Sequence, residues 1–309
     1  LLRRDVSEVG RTVNTPVAID RFEIAKHVAD RLQANLDPMR AAFSTPGRIA
    51  TCYVDDVLPE PIVKKIFAAF PQSGRMTFKT SIKERKYVAA QMDLYDPILE
   101  EAVYAFQQPG IVELLGQITG LDQIEPDSNL YAGGISAMQK GGYLKPHLDN
   151  SHDNEKLRFR VLNLLYYVTP DWQEADGGAL QLWDDGPGAS FREIHSRFNR
   201  LVVMITNRSS WHAVSPVRGE GRRCCVSNYY FSPKSPDGQA YFHATSFRGA
   251  PGERVADALM RADNAVRTTV LKTFGEKLYK NPHVYNRPKA NQTNDEPRTT
   301  KDDRPGSKV

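Results

Sequence analysis

The sequence predicts a mainly β protein with flanking helices, built on an antiparallel sandwich or barrel. Three observations predict it. From about residue 130, short apolar segments follow one another between turns rich in Gly and Asp: "GGISAMQ", "RFRVLNLLYYVTP", "GGALQLWDD", "RLVVMITN" and "RRCCVSNYYF". One of them, "VLNLLYYV", is apolar on both faces, which places it centrally, with the sheet interior on one side and helices on the other. On either side of this block the apolar residues recur at helical spacing.

Taken in order, residues 18–44 form the first helical pattern, with Phe22, Ile24, Ala25, Val28 and Leu32 on one face and Asp20 at the N-cap position. "IATCYVDDVLP" at 49–59 reads as a short strand, and "PEPIVKKIFAAF" after it as a helix with proline in its first turn. Residues 96–120 read as one or two helices, broken at Pro109-Gly110 and stopped at Gly120. After the β block, residues 254–279 return to helix, with Val255, Leu259, Ala262, Val266 and Val270 near one face, packing by default on the protein's own core. The expected organisation is an N-terminal helical extension (1–48), one catalytic β domain (49–235), a C-terminal helical extension (236–285) and a disordered polar tail (286–309).

Composition narrows the function classes. The chain has 309 residues, 40% hydrophobic and 25% charged, as an ordinary globular protein does. A net charge of +4 is too small to imply nucleic acid without a concentrated basic patch. No apolar run approaches the ~18 residues of a membrane span, and "LLRRDVSEVG" lacks the apolar core of a signal peptide. Three cysteines, Cys52, Cys224 and Cys225, two of them adjacent, make neither a disulfide framework nor a CxxC zinc site. A cytoplasmic protein with reduced thiols is expected.

The chemistry lies in "YLKPHLDNSHD", residues 143–153. In an extended segment His147 and Asp149 project to one side, so an imidazole nitrogen and a carboxylate oxygen can chelate one ion. "SSWHAVSPV" supplies a third ligand, His212. Two histidines and one carboxylate on one face of an octahedron leave three positions open, the arrangement suited to non-haem Fe(II) and oxygen. His152 and Asp153 are adjacent, point to opposite faces and read as loop residues. The other histidines, His27, His195, His243 and His283, have no partner at ligand spacing and read as structural. Arg222 lies ten positions after His212, on the next strand; a guanidinium there can grip the far carboxylate of a small dicarboxylic acid through paired hydrogen bonds. Arg223 competes for this role, because neighbouring strand residues face opposite sides.

In order along residues 49–231, these segments resemble the Fe(II)- and 2-oxoglutarate-dependent oxygenases, specifically their prolyl-4-hydroxylase-like branch. "IATCYVDDVLPEPIVKKIF" resembles its opening strand and helix, "GGYLKPHLDN" its first ligand segment, "RFRVLNLLYYVTPDW" and "GGALQLWD" its central strand and following hairpin, and "HAVSPV" with the arginine downstream its last ligand segment. The resemblance implies a double-stranded β-helix, a distorted jelly roll, with iron held by His147, Asp149 and His212. It implies Fe(II), 2-oxoglutarate and O2 as cofactors, with ascorbate as an auxiliary reductant. Arg222 would hold the distal carboxylate of 2-oxoglutarate and Tyr167 donate a hydroxyl to it, with Leu165 and Asn163 lining the same pocket on the strand face they share. Two positions depart from the family pattern: Met138 stands where many relatives carry tyrosine, and Asn228 stands six residues after Arg222, where a tryptophan is common. Asp149 is a carboxylate, unlike the Gly or Ala of related halogenases, so hydroxylation is the expected outcome.

The substrate is less legible. "FKTSIKERKYVAA" gathers Lys79, Lys83, Arg85 and Lys86 in a region that covers the active site in relatives, and a basic lid would suit an anionic small metabolite. A protein (prolyl-type) hydroxylase is the alternative, with a peptide or protein as partner, and a non-catalytic jelly-roll binding protein ranks third. Nothing points to nucleic acid or a membrane as partner.

Overall fold

The structure, a computed structural model, describes residues 19–131, 133–274 and residue 285. The first helical pattern is two helices, α1 (Arg21–Ala34) and α2 (Leu36–Phe43), parted at Asn35. Asp20 caps α1, its carboxylate accepting from the backbone N–H groups of Phe22 and Glu23 at 3.0 and 2.9 Å. Ile24, Ala25, Val28 and Leu32 are buried as expected. So is Arg21, because its guanidinium donates to both carboxylate oxygens of Glu101 at 2.9 and 2.6 Å. Strand β1 (Thr51–Val54) and helix α3 (Glu60–Ala69) follow, then the hairpin β2 (Thr77–Thr80) and β3 (Glu84–Ala89). Helices α4 (Pro97–Ala105) and α5 (Pro109–Thr119) each begin with proline, and α5 stops at Gly120, whose φ of +70° is the left-handed turn that glycine adopts at least cost.

The remaining strands are β4 (Glu125–Pro126), β5 (Gly134–Met138), β6 (Tyr143–Leu148), β7 (Phe159–Tyr167), β8 (Leu180–Leu182), β9 (Arg192–Ile194), β10 (Arg200–Ile205), β11 (His212–Val214), β12 (Arg223–Ser232) and β13 (Ser246–Phe247). Hydrogen-bonded neighbours run β1-β10-β7-β12-β5-β3-β6-β11-β8-β9, every described pairing being antiparallel. The turn from one half to the other is made by β3, whose residues 87–89 pair with β5 and 84–85 with β6. The sheet thereby curls into the double-stranded β-helix, a distorted jelly roll, with β7 central as its two apolar faces require. Strand parity divides the core. Leu164, Tyr166, Leu201, Val203, Cys224 and Val226 face outward onto the helices. Tyr167, Val202, Met204 and Cys225 face inward, onto Leu180, Leu182 and Ile194 of the opposing half, with Leu165 packed against them.

The segment read from the sequence as a basic lid is the β2–β3 hairpin, with Phe78 and Tyr87 stacked at 4.7 Å across it. The C-terminal extension also differs from expectation, since it includes β13 pairing onto β6 at His147 and Leu148 before α6 (Arg254–Phe274) begins. On α6 the expected apolar face does not pack on the core: Val255, Leu259 and Val266 are 76%, 61% and 64% exposed. The helix is held instead by buried Met260 and by Asn264, which exchanges two hydrogen bonds with the backbone of Phe247. Ion pairs Lys83–Asp263 at 2.6 Å and Lys145–Glu253 at 2.5 Å tie it to the hairpin and to β6. Residues 275–279 of the expected helix and the tail 286–309 lie outside the described residues.

Candidate metal centre

His147 and His212 come together because β6 and β11 are antiparallel neighbours in which these two residues are direct partners. Their ring centroids are 4.1 Å apart. Asp149 follows the end of β6 and turns its carboxylate to both: Oδ1 lies 3.7 Å from His147 Nε2, and Oδ2 3.7 Å from His212 Nε2. One ligand atom from each residue lies within 4.8 Å of the others, and among the described residues these three form the single such cluster of metal-ligating groups. Backbone carbonyls set the tautomers. His147 Nδ1 lies 3.0 Å from the carbonyl oxygen of Lys145, and His212 Nδ1 2.9 Å from that of Ser210. Donation to those oxygens leaves both Nε2 lone pairs aimed at the shared point.

The electrostatics suit a cation. Burial, reinforced by neighbouring His212, pushes the pKa of His147 down to about 3, so the imidazole is neutral and able to donate its lone pair. Burial opposes ionisation of Asp149, but Arg160, His212, His147 and the hydrogen bond from Asn163 outweigh it and hold the carboxyl well below the usual range. Asn163 Nδ2 donates to Asp149 Oδ2 at 2.7 Å, and Arg160 Nη1 lies 3.4 Å from Oδ1. The ring of Phe247, on β13, stacks on His147 at 5.2 Å.

At the other end of the barrel interior, the structure separates the two candidate arginines. Arg222 faces away: its guanidinium donates to the carbonyl oxygen of Pro71 at 2.6 Å. Arg223 points inward, 4% exposed, with Nε donating to Ser196 Oγ at 2.8 Å and its guanidinium 4.7 Å over the ring of Tyr167. The cause is parity, since inward Cys225 is two residues from Arg223 and three from Arg222. Of the two arginines the sequence left in competition, Arg223 and not Arg222 thus reaches the barrel interior. The tryptophan position counted from the arginine moves with it, from Asn228 to Tyr229, an aromatic whose ring lies 4.5 Å under the Arg160 guanidinium. Asn228 hydrogen-bonds Gln107 on the helical side.

Tyr167 shares its inward face with Leu165, as expected. Asn163, expected to line the cosubstrate pocket, hydrogen-bonds Asp149 instead. Met138 lies opposite Arg223 on β5, packed with Trp172 and Val217. Reading the sequence alone misses Arg160, Tyr229 and Phe247. The signal for Arg160 was present: a charged residue at the start of an otherwise apolar central strand must find a buried partner.

The donor set fits an iron and 2-oxoglutarate. Two imidazole nitrogens and a carboxylate oxygen converge, and no further metal-ligating side chain joins them among the described residues. Arg223 is a buried cation that no carboxylate pairs among the described residues, and Tyr167 Oη beside it is buried without a hydrogen bond of ordinary geometry. A dicarboxylate would satisfy both.

Residues 133–231 match the family model described as the 2OG-Fe(II) oxygenase superfamily. Prolyl 3-hydroxylase OGFOD1 of Xenopus laevis is 36% identical over 84 residues, which make up 26% of this chain and 16% of that protein. Egl nine homolog 1 of Homo sapiens is 29% identical over 115 residues, 37% of this chain and 24% of that protein. The chain thus spans less than a third of these curated relatives. Among solved structures, the prolyl hydroxylase of Trichoplax adhaerens in complex with a hypoxia inducible factor peptide has a TM-score of 0.48 at 18% identity, covering 65% of this chain and 92% of that one. HygX of Streptomyces hygroscopicus, with nickel, 2-oxoglutarate and hygromycin B bound, has a TM-score of 0.42 at 12% identity, covering 66% and 92%. No described helix is long and apolar enough to cross a membrane.

Proposed function

We propose that this chain, whose residues 133–231 match the family model of the 2OG-Fe(II) oxygenase superfamily, is an Fe(II)- and 2-oxoglutarate-dependent dioxygenase that hydroxylates an unactivated C–H bond of a small molecule. The observation that carries the reading is the convergence of His147, Asp149 and His212 in the same barrel as the uncompensated guanidinium of Arg223. Fe(II), 2-oxoglutarate and O2 together supply oxidative decarboxylation to succinate and CO2 coupled to C–H hydroxylation.

The chain's own residues do the rest. His147 and His212 present fixed Nε2 donors. Asp149, ionised and steadied by Asn163 and Arg160, contributes the single negative charge among the ligands. Arg223 is the anchor for the distal carboxylate of 2-oxoglutarate, its fork oriented by Ser196, whose own hydroxyl donates to the carbonyl of Gly178 at 2.6 Å. Gly178 belongs at that place, because a Cβ there would meet Arg223 Cδ at 2.6 Å. Tyr167 donates its hydroxyl to the same carboxylate, and burial, which pushes its pKa up to about 12, keeps that proton in place. Leu165, Val202 and Met204 keep water from the anchored end.

A small-molecule substrate is supported by the cavity beside the ligands. It has about 550 Å³, is reached by His147 and Asp149, and is walled by the β2–β3 hairpin and α6; sites for small molecules span roughly 300–1,000 Å³. The second reading, a protein hydroxylase, is favoured by the names of the sequence relatives. Anaerobic titration with Fe(II) and 2-oxoglutarate tests the chemistry: a weak visible charge-transfer band is expected in wild type and lost in His147→Ala. Iron-loaded, folded wild type without the band would sink the oxygenase reading. Succinate release over metabolites and over proline-containing peptides then decides between the substrates.

A further inference from the structure

We infer that Lys79 and Lys86 form an anion-binding subsite on the wall of the substrate cavity, so that the molecule oxidised carries an oxyanion, a carboxylate or phosphate, away from the carbon that reaches the metal. The inference rests on the small-molecule reading above and names the chemical class of that substrate.

Lys79 and Lys86 are direct cross-strand partners on β2 and β3, so their side chains leave the same face of the hairpin. Both line the cavity that His147 and Asp149 also line. Two like charges opposite one another on a strand pair destabilise it, and here the pair is half-buried, where repulsion is less screened. Burial, with repulsion from Lys86 behind it, lowers the pKa of Lys79, even though Glu84 is near enough to pull the other way.

The other cations on the cavity wall are engaged. Lys86 is paired with Glu84 at 3.0 Å, Arg267 with Asp263 at 2.9 Å, Arg160 faces Asp149 at 3.4 Å, and Lys156 lies 5.1 Å over the Phe242 ring. No hydrogen bond or ion pair to Lys79 is formed among the described residues. Had the hairpin served only as a cover, its basic residues would gain most by facing solvent, as Arg85 does on the opposite side of the same strand. Instead the sequence turns Lys79 and Lys86 inward, with Glu84, the carboxylate beside them, already paired with Lys86. An oxyanion between the two ammonium groups would relieve their repulsion and accept from both. This site is separate from Arg223, which faces the barrel interior and does not line the cavity.

The test uses the full chain loaded with Zn(II) and saturating 2-oxoglutarate, so that Arg223 is occupied and no turnover occurs. Benzoate, phenylphosphonate and the neutral isostere benzamide are titrated by calorimetry into wild type, Lys79→Met, Lys86→Met and, as control, Lys140→Met, an exposed lysine paired with Glu220. At least one anion is expected to bind wild type and Lys140→Met alike, and about tenfold or more weaker to Lys79→Met, the loss of one charge-assisted hydrogen bond. Benzamide should bind more weakly than the anions and ignore the substitutions. Equal binding of benzoate and benzamide, anion binding indifferent to both lysines, or no anion binding to wild type each overturns the subsite. The Fe(II)–2-oxoglutarate charge-transfer band, recorded on the same proteins, separates the two failures: its absence from wild type sinks the oxygenase reading, whereas its presence without anion binding sinks only the subsite.

Discussion

Replacing Arg223 by leucine should weaken 2-oxoglutarate binding sharply, while the neighbouring change Arg222→Ala should leave it almost untouched. Arg223 is 4% exposed, with one hydrogen bond, to Ser196, and no carboxylate beside it among the described residues. Its terminal nitrogens are thus available to a dicarboxylate. Losing a paired, charge-assisted contact costs about 3 kcal/mol, or roughly a hundredfold in Kd. The half-saturation point of the charge-transfer band reads this directly. Stability should move the other way. A buried guanidinium without a counter-ion is costly, and an apolar replacement is often neutral or stabilising, so the cosubstrate-free Arg223→Leu protein should melt no lower than wild type. At a cosubstrate concentration 100 times the wild-type Kd, wild type gains about 2.7 kcal/mol from the ligand and the variant about 0.4 kcal/mol. Arg222→Ala should lose about 1 kcal/mol of stability, from the contact with Pro71, and keep its 2-oxoglutarate affinity. A hundredfold loss in Arg222→Ala with none in Arg223→Leu would refute the assignment by strand parity.

Other substitutions test the supporting contacts. Asn163→Ala removes the 2.7 Å hydrogen bond to Asp149 and should lower Fe(II) affinity by about tenfold, as lost outer-shell partners do; unchanged metal affinity in a competition titration with a chelator would count against that role. Asp263→Asn cuts the tie between α6 and Lys83, so the amides of residues 254–270 should exchange hydrogen faster, while global stability falls by less than about 1 kcal/mol. Unaltered exchange would mean that Asn264 and Met260 hold the helix alone. Burial opposes ionisation of Asp55, but Arg200 and Arg197 outweigh it and hold its carboxyl below the ordinary 3.8. Its folded value is the lower one, so its contribution to stability is complete above the unfolded value and is lost as pH falls below about 4. Wild type and Asp55→Asn should therefore differ in denaturant midpoint at pH 7 and converge toward pH 3; a gap that widens on acidification would contradict the sign.

What could be read from the sequence was what periodicity and spacing encode. The two-sided apolar run of β7 dictated a central strand, and it lies between β10 and β12 with one face on each core. The spacing of His147 and Asp149 was enough to put them on one side, but only register makes His212 the direct partner of His147. Register between distant strands leaves no mark in a single sequence, which is also why β11 and the Lys79–Lys86 pairing were not legible. The helix after residue 254 shows the opposite failure. Its apolar repeat was real, yet polar ties from Asn264 and Asp263 fix it with those valines and Leu259 outward; periodicity marks an amphipathic face and says nothing of what covers it.

The two arginines show how close to legible the cosubstrate end was. Counting from the metal histidine cannot choose between adjacent residues, but the strand that follows them can. In "RRCCVSNYYF" the outward residues Cys224, Val226 and Tyr230 pack on the helices, and Cys225 packs on the interior. Arg223 is in step with Cys225 and with Tyr229, whose ring meets the arginine beside the metal carboxylate. Arg222 is in step with Asn228, which bonds Gln107 on the helical side. One unit of phase therefore decides, for the whole strand, which residues see the reacting end and which see the scaffold. Inserting a single residue between Arg223 and Cys225 would keep every apolar side chain beyond it in its place and turn the Arg223 guanidinium out of the barrel. Such a variant should fold, bind metal through the untouched His147, Asp149 and His212, and need far more 2-oxoglutarate to develop the charge-transfer band. A variant that folded and kept wild-type affinity for 2-oxoglutarate would show that the anchor lies elsewhere.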